Sequence, residues 1–169
     1  MEYQKMQNPE KAFQDYYSDS MSHCYGCGRL NGHGLQIKSY WEGDESICVF
    51  RPRPEHIAIP GFVYGGLLAS LIDCHGTGTA AAAAYKREDR SMGTEPELRF
   101  VTASLSVDYL RPTPLGVDLI LRGRVEENKP RKVVTAIKLF ADNELCAKGR
   151  VVAVQAPEHL VALIKANTP

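Results

Sequence analysis

The chain has 169 residues, and its 20 basic and 20 acidic side chains balance to a formal charge of zero. That length can bury one substantial core without staples, and with no Lys/Arg run it lacks a nucleic-acid footprint. No apolar run reaches the roughly 18 residues of a membrane span. The opening Met1-Glu2-Tyr3-Gln4-Lys5 lacks a signal-peptide core. Five cysteines at irregular spacing speak for a reducing compartment rather than a disulfide framework. The expectation is a cytoplasmic protein that binds neither nucleic acid nor membrane.

In chain order, residues 8–19 predict a short amphipathic helix, with Asn8 as cap, Pro9 in the first turn, and Phe13, Tyr16 and Tyr17 on one side. Residues 34–42 and 45–52 read as a hairpin around Glu42-Gly43-Asp44. Pro52, Pro54 and Pro60 mark an extended loop. A long helix is expected over 64–86, with Leu67, Leu68, Leu71 and Ile72 on a core face. Gly76 and Gly78 weaken it locally, and the small residues Ala80 to Ala84 let a sheet approach closely. Residues 87–96 read as a loop. Strands are expected over 98–110, 116–126, 132–142 and 145–155. In the first of these, Leu105, Val107 and Tyr109 alternate with Ser104, Ser106 and Asp108 as a half-buried strand does. Asp142-Asn143 signals a tight turn. A terminal helix over 157–166 carries Leu160, Leu163 and Ile164. No repeat or low-complexity linker interrupts the chain.

The chemistry concentrates where the long helix begins. The first N–H groups of a helix have no partner inside it and carry partial positive charge. Glycines at 65 and 66 let a ligand carbonyl approach those groups, which makes an oxyanion-type site. Asp73 lies seven positions beyond Gly66, on the same face and about 10 Å along the axis. A reacting carbon needs its nucleophile and its polarising donor each at roughly 3 Å. One helix does not supply both; two antiparallel copies across a two-fold axis do. A buried, hydrogen-bonded structural Asp73 after a flexible helix start is the alternative from these residues alone.

Gly61-Phe62-Val63-Tyr64-Gly65-Gly66, followed by Leu71-Ile72-Asp73, resembles the V-H-G-G-x-x-x-x-L-x-D helix of hotdog-fold acyl-CoA thioesterases of the PaaI-like branch. Three further segments agree in order and spacing. Cys24-Tyr25-Gly26-Cys27-Gly28 through Asn31, Gly34 and Leu35 is similar to the family's C-x-x-C-G-x-x-N-x-x-G-L opening. Val101 through Pro112 is similar to its T-A-x-L-x-V-x-Y-L-R-P strand. Ala147-Lys148-Gly149-Arg150-Val151 stands where the last strand reads A-x-G-x-x.

The resemblance implies an α+β hotdog fold, an antiparallel sheet wrapped around one long helix. It implies a helical extension over 1–21, the hotdog domain over 22–156 and a C-terminal helix and tail over 157–169. The implied activity is hydrolysis of an acyl-CoA thioester, with no cofactor beyond the coenzyme A of the substrate, in a dimer or dimer of dimers with shared sites. Asp73 would be nucleophile or general base. Gly65 and Gly66 would present the polarising N–H, and Tyr64 and Thr102 would position groups around it. Tyr64 replaces the family's usual histidine, and its hydroxyl can still donate a hydrogen bond.

Asn128, Arg131 and Lys132, with Arg111, are candidates for coenzyme A contacts, since basic side chains suit phosphates; solvated surface turns are the bland alternative. Thr102 can equally be a good strand residue. His75 reads as a satisfied helix histidine. Cys24 and Cys27, with His23 and His33 nearby, admit a zinc site, but no second Cys-x-x-C follows, so a packed turn without metal is expected. Two other functions stand beside the thioesterase. A non-catalytic acyl-CoA binder is favoured by Tyr64, and a hotdog hydratase would need a histidine beside Asp73, for which only His75 or the distant His56 is available.

Overall fold

The structure, a computed structural model, describes residues 11–169. It contains β1 (Tyr40–Glu42), β2 (Glu45–Phe50), α1 (Gly65–Arg87), β3 (Phe100–Tyr109), β4 (Leu119–Lys129), β5 (Lys132–Ala141), β6 (Glu144–Gln155) and α2 (Glu158–Ala166). The strands form one six-stranded sheet in the order β1-β2-β4-β5-β6-β3. Every pairing is antiparallel. The sheet wraps α1, which is the hotdog fold.

The core lies between the sheet and the apolar face of α1. Leu71 and Ile72 of the helix are fully buried with Leu119 and Leu121 of β4, Ile137 and Leu139 of β5, and Val151 of β6. Small residues set the spacing. A Cβ at Gly149 would lie 2.2 Å from Ile72 Cγ2, so only a glycine lets β6 lie this close to the helix. The run Ala80 to Ala84 is buried throughout. The expected turns hold: Glu42 pairs with Glu45 across Gly43-Asp44. Asp142 and Asn143 both have positive φ, 49° and 64°, as a two-residue hairpin turn requires.

The N-terminal segment differs from expectation. Asn8 and Pro9 lie outside the described residues, and from residue 11 onward there are only 3-10 turns, at Phe13–Tyr16 and Asp19–Met21. The backbone is bonded elsewhere. Phe13 N–H donates to the Ser39 carbonyl at 2.9 Å, and the buried Gln14 amide exchanges two hydrogen bonds with Ser39. These fix the chain against the approach to β1 instead of in an α-helix.

The first strand is also shorter than the expected 34–42. Gln36 has φ 56°, outside the strand region. Leu35 and Ile37 donate instead to the carbonyls of Tyr25 and Gly26, at 2.8 and 3.0 Å. The chain there closes the cysteine turn before entering the sheet. β3 departs from the half-buried pattern as well. It is the last strand of the sheet, and Leu105 and Tyr109 remain 38% and 54% exposed. Among the described residues, its outer edge has no partner strand. No helix among the described residues is long and apolar enough to cross a membrane.

Candidate active site

α1 begins at the glycine pair, with Tyr64 in the capping position. An ideal Cβ on Gly66 would lie 2.3 to 2.5 Å from Tyr64 Cε1, Cζ and the hydroxyl. The Tyr64 ring therefore folds back over the bare Cα of Gly66, while the side chain stays 58% exposed. On the other side, the Tyr109 hydroxyl donates to the Gly65 carbonyl at 2.8 Å. Two phenols thus flank the helix start. The role of Tyr109 escapes a reading of the sequence, because it depends on which strand end reaches the helix.

Two turns further on, α1 carries the half-buried Asp73. The Thr102 hydroxyl of β3 donates to Asp73 Oδ1 at 2.6 Å. Thr77 Oγ1 lies 2.9 Å from Thr102 Oγ1. The single Thr102 proton is committed to the carboxylate, so Thr77 is the donor to Thr102. The result is a short chain, Thr77 to Thr102 to Asp73, that holds one carboxylate oxygen in place. Thr77 stands four residues after Asp73, the helical spacing that puts two side chains on one face. That spacing was the available signal for it.

Asp73 and Thr102 line a cavity of about 240 Å³ with Cys24, Cys27, Cys74 and Phe100. The Cys24, Cys27 and Cys74 sulfurs lie within 4.8 Å of one another. Hydrogen bonds from the other two thiols pull Cys24 well below its usual value, while the hydrogen bonds they make to it, together with burial, push Cys27 and Cys74 up. His23 and His33 do not join this cluster among the described residues.

The remaining sequence candidates divide between two ends of the sheet. Asn128, Arg131 and Lys132 surround the β4–β5 turn. Arg111 follows β3 at the other end, where it pairs with Glu144. Ten residues of β5 separate the two ends, about 33 Å, so the four do not form one cluster within a chain. Asn128 is already occupied. Its oxygen accepts from Arg87 at 2.6 Å and its nitrogen donates to the Ala83 carbonyl at 3.1 Å, which ties the turn to the end of α1. Lys132 lies 3.3 Å from Glu127, and Arg131 is exposed.

His75 is fully buried on another face of α1, its Nδ1 2.9 Å from Ser39 Oγ and its Nε2 3.1 Å from Ser46 Oγ. The Thr79 hydroxyl donates to the His75 carbonyl at 2.7 Å, and Ser46 Oγ is 2.6 Å from Thr79 Oγ1. One proton pattern satisfies all of these: Ser46 donates to Thr79, His75 Nε2–H donates to Ser46, and Ser39 donates to Nδ1. Burial pushes this imidazole down to about 3, so it is neutral and walled off from Asp73. His56 is closer to the glycine turn than its sequence distance suggests, since its carbonyl accepts from Tyr64 N–H at 2.9 Å. It stands at the helix start, two turns from Asp73.

This geometry agrees with what the chain is similar to. Residues 60–154 match the Thioesterase superfamily, and the chain belongs to that family. A crystal structure of a Thioesterase superfamily protein from Shewanella loihica PV-4 is 51% identical, with 85% of this chain and 99% of that one covered and a TM-score of 0.65. The acyl-coenzyme A thioesterase THEM4 of Xenopus laevis is 36% identical over 116 residues, which is 68% of this chain and 46% of that protein. THEM4 of Rattus norvegicus is 26% identical, covering 82% of this chain and 60% of that protein. The chain spans about half the length of the curated relatives it matches.

Proposed function

We propose that this protein hydrolyses the thioester of an acyl-coenzyme A, with Asp73 as nucleophile or general base. The observation that carries the reading is the Asp73 carboxylate, fixed by Thr102 at 2.6 Å in a cavity lined mainly by apolar and sulfur side chains. As base, Asp73 takes a proton from water while the water oxygen attacks the thioester carbon. The carbon–sulfur bond then breaks, and the thiolate leaves and is protonated. The Gly66 N–H stabilises the oxyanion, with Gly65 leaving room for the approach. Tyr64 stands over Gly66 where it can donate to the same oxygen. Arg131 and Lys132, with Asn128, are the candidate phosphate contacts, and Arg111 would serve from the opposite end. No other cofactor enters the reaction. Acyl-CoA thioesterases among the relatives support the substrate class.

The site would be shared within a homodimer, itself able to pair into a tetramer. Gly66 and Asp73 are separated by two helical turns in one chain, and both half-sites border the edge of β3 that has no partner strand among the described residues. Two β3 strands paired antiparallel about a two-fold between Leu105 and Ser106 would set Thr102 of one copy opposite Tyr109 of the other. That would carry each Asp73 toward the partner's glycine turn. A cytoplasmic location agrees with five free cysteines.

Hydrolysis is tested by thiol release from short, long and aromatic acyl-CoAs. Asp73→Asn should lower turnover on the order of 100-fold or more while leaving the melting temperature near the parent's. Parent-like turnover in that variant would make Asp73 structural. The second reading, an acyl-CoA binder without turnover, is favoured by the Tyr64 ring covering Gly66. Tight acyl-CoA binding without thiol release across the panel would establish it.

A further inference from the structure

Cys24 and Cys27 belong to a turn before the sheet, and Cys74 belongs to α1. The fold brings these three thiols together from positions 50 residues apart. The Cys24 and Cys74 sulfurs are 3.9 Å apart, and all three lie within 4.8 Å of one another. Zinc–sulfur bonds of about 2.3 Å in a tetrahedron set sulfurs about 3.8 Å apart. A disulfide needs about 2.05 Å and joins only two of them.

The turn around them is built to this spacing. A Cβ at Gly26 would fall 2.3 Å from the Cys74 sulfur, so a side chain there would push the two elements apart. Gly28 N–H closes the turn onto the Cys24 carbonyl at 2.8 Å, and Ile37 N–H holds the Gly26 carbonyl at 3.0 Å. Cys24 is exposed, Cys74 half-buried and Cys27 buried, so an ion has a way in and a closed floor behind it.

We propose that Cys24, Cys27 and Cys74 form a binding site for one zinc ion, which pins the N-terminal turn to the central helix. No other Cys, His, Asp or Glu shares the same radius among the described residues. The fourth position therefore opens on the cavity that also holds Asp73 and is filled by water, as in zinc sites with three protein ligands. Each thiol that begins protonated releases its proton to solvent as its sulfur–zinc bond forms, and no electrons are transferred. The proposal is independent of whether the protein hydrolyses thioesters.

The test uses the full chain, reduced and free of metal. Zinc is titrated in competition with a chromophoric chelator, and cobalt is titrated in parallel for its thiolate charge-transfer and tetrahedral visible bands. One zinc per chain and both cobalt signatures are expected. Cys24→Ser and Cys74→Ser, confirmed folded by circular dichroism, should lose them. Cys48→Ser and Cys146→Ser, whose thiols are buried elsewhere in the core, should retain them. The parent measurement alone decides the matter if the serine variants do not fold. Absence of saturable zinc uptake by the reduced parent overturns the proposal. So does unchanged uptake in folded Cys24→Ser or Cys74→Ser, or recovery of a Cys24–Cys74 disulfide from a protein that takes up no zinc when reduced.

Discussion

Acid should destabilise this protein in part through the buried His75. The imidazole is fully buried, and its side-chain partners are the hydroxyls of Ser39 and Ser46, which do not offset an imidazolium charge. Burial lowers it from 6.5 to about 3. The unfolded chain therefore binds this proton first. The contribution to stability is complete above about 6.5 and is lost progressively as pH falls toward about 3. Between pH 7 and about pH 4.5 the loss spans roughly two pH units below the unfolded value, on the order of 2–3 kcal/mol at 1.36 kcal/mol per unit. That is a large share of a typical domain stability. The assay is urea unfolding at both pH values, at fixed protein concentration, for the parent and for His75→Gln. The variant should be less stable at pH 7 because its hydroxyl partners are displaced, yet should lose less on acidification by about 2–3 kcal/mol. Carboxylates titrate in both proteins and cancel in the difference. Equal losses in parent and variant would show that His75 is not the buried neutral group described here.

Three further outcomes follow from the packing and the site. Gly149→Ala drives a methyl into Ile72 and should lower stability by about 1–3 kcal/mol, read as a lower urea midpoint; an unchanged midpoint would mean that the sheet relaxes away from the helix. Thr102→Val removes the donor to Asp73 and should cut thioester turnover on the order of 10- to 100-fold, the scale of one hydrogen bond to a charged group; turnover equal to the parent's would reduce Thr102 to a strand residue. For the shared site, Asp73→Ala mixed with Gly66→Val should recover up to half of the parent activity per mixed dimer, because one site then carries both lesions and the other neither. No recovery despite demonstrated subunit exchange would place the whole site in one chain.

Where local chemistry dictated structure, the sequence was legible. The apolar spacing from Leu67 to Ile72 marked the helix, and the alanine run announced how closely a sheet would approach. Asp142-Asn143 and Gly43-Asp44 placed their turns because few dipeptides fit such backbone angles. Boundaries slipped where long-range bonds compete with local preference. Phe13 and Gln14 have helical spacing with Tyr17, but their partner is Ser39, 25 or more residues away. Residues 34–37 look like strand, yet they bond to the cysteine turn. Neither partner is announced by any local pattern.

The site divides along the same line. Asp73 and the glycine pair stood out because a carboxylate and two glycines on one apolar helix need a reason. Thr102 required a resemblance to be noticed, and the structure then set its hydroxyl on Asp73. Thr77, Tyr109 and Cys74 were missed although each is visible in the sequence, since their importance comes from what faces them. Arg111 and Arg131 were grouped by charge, and the sheet then put them at opposite ends of β5. A sequence names the residue types that chemistry requires, but only the fold sets distances between them. In this chain those distances leave the Asp73 carboxylate and the Gly66 N–H two turns apart, beside a strand edge with no partner among the described residues. The chemistry proposed for them is therefore also a statement about assembly: a monomer should bind its substrate poorly and turn it over more poorly still.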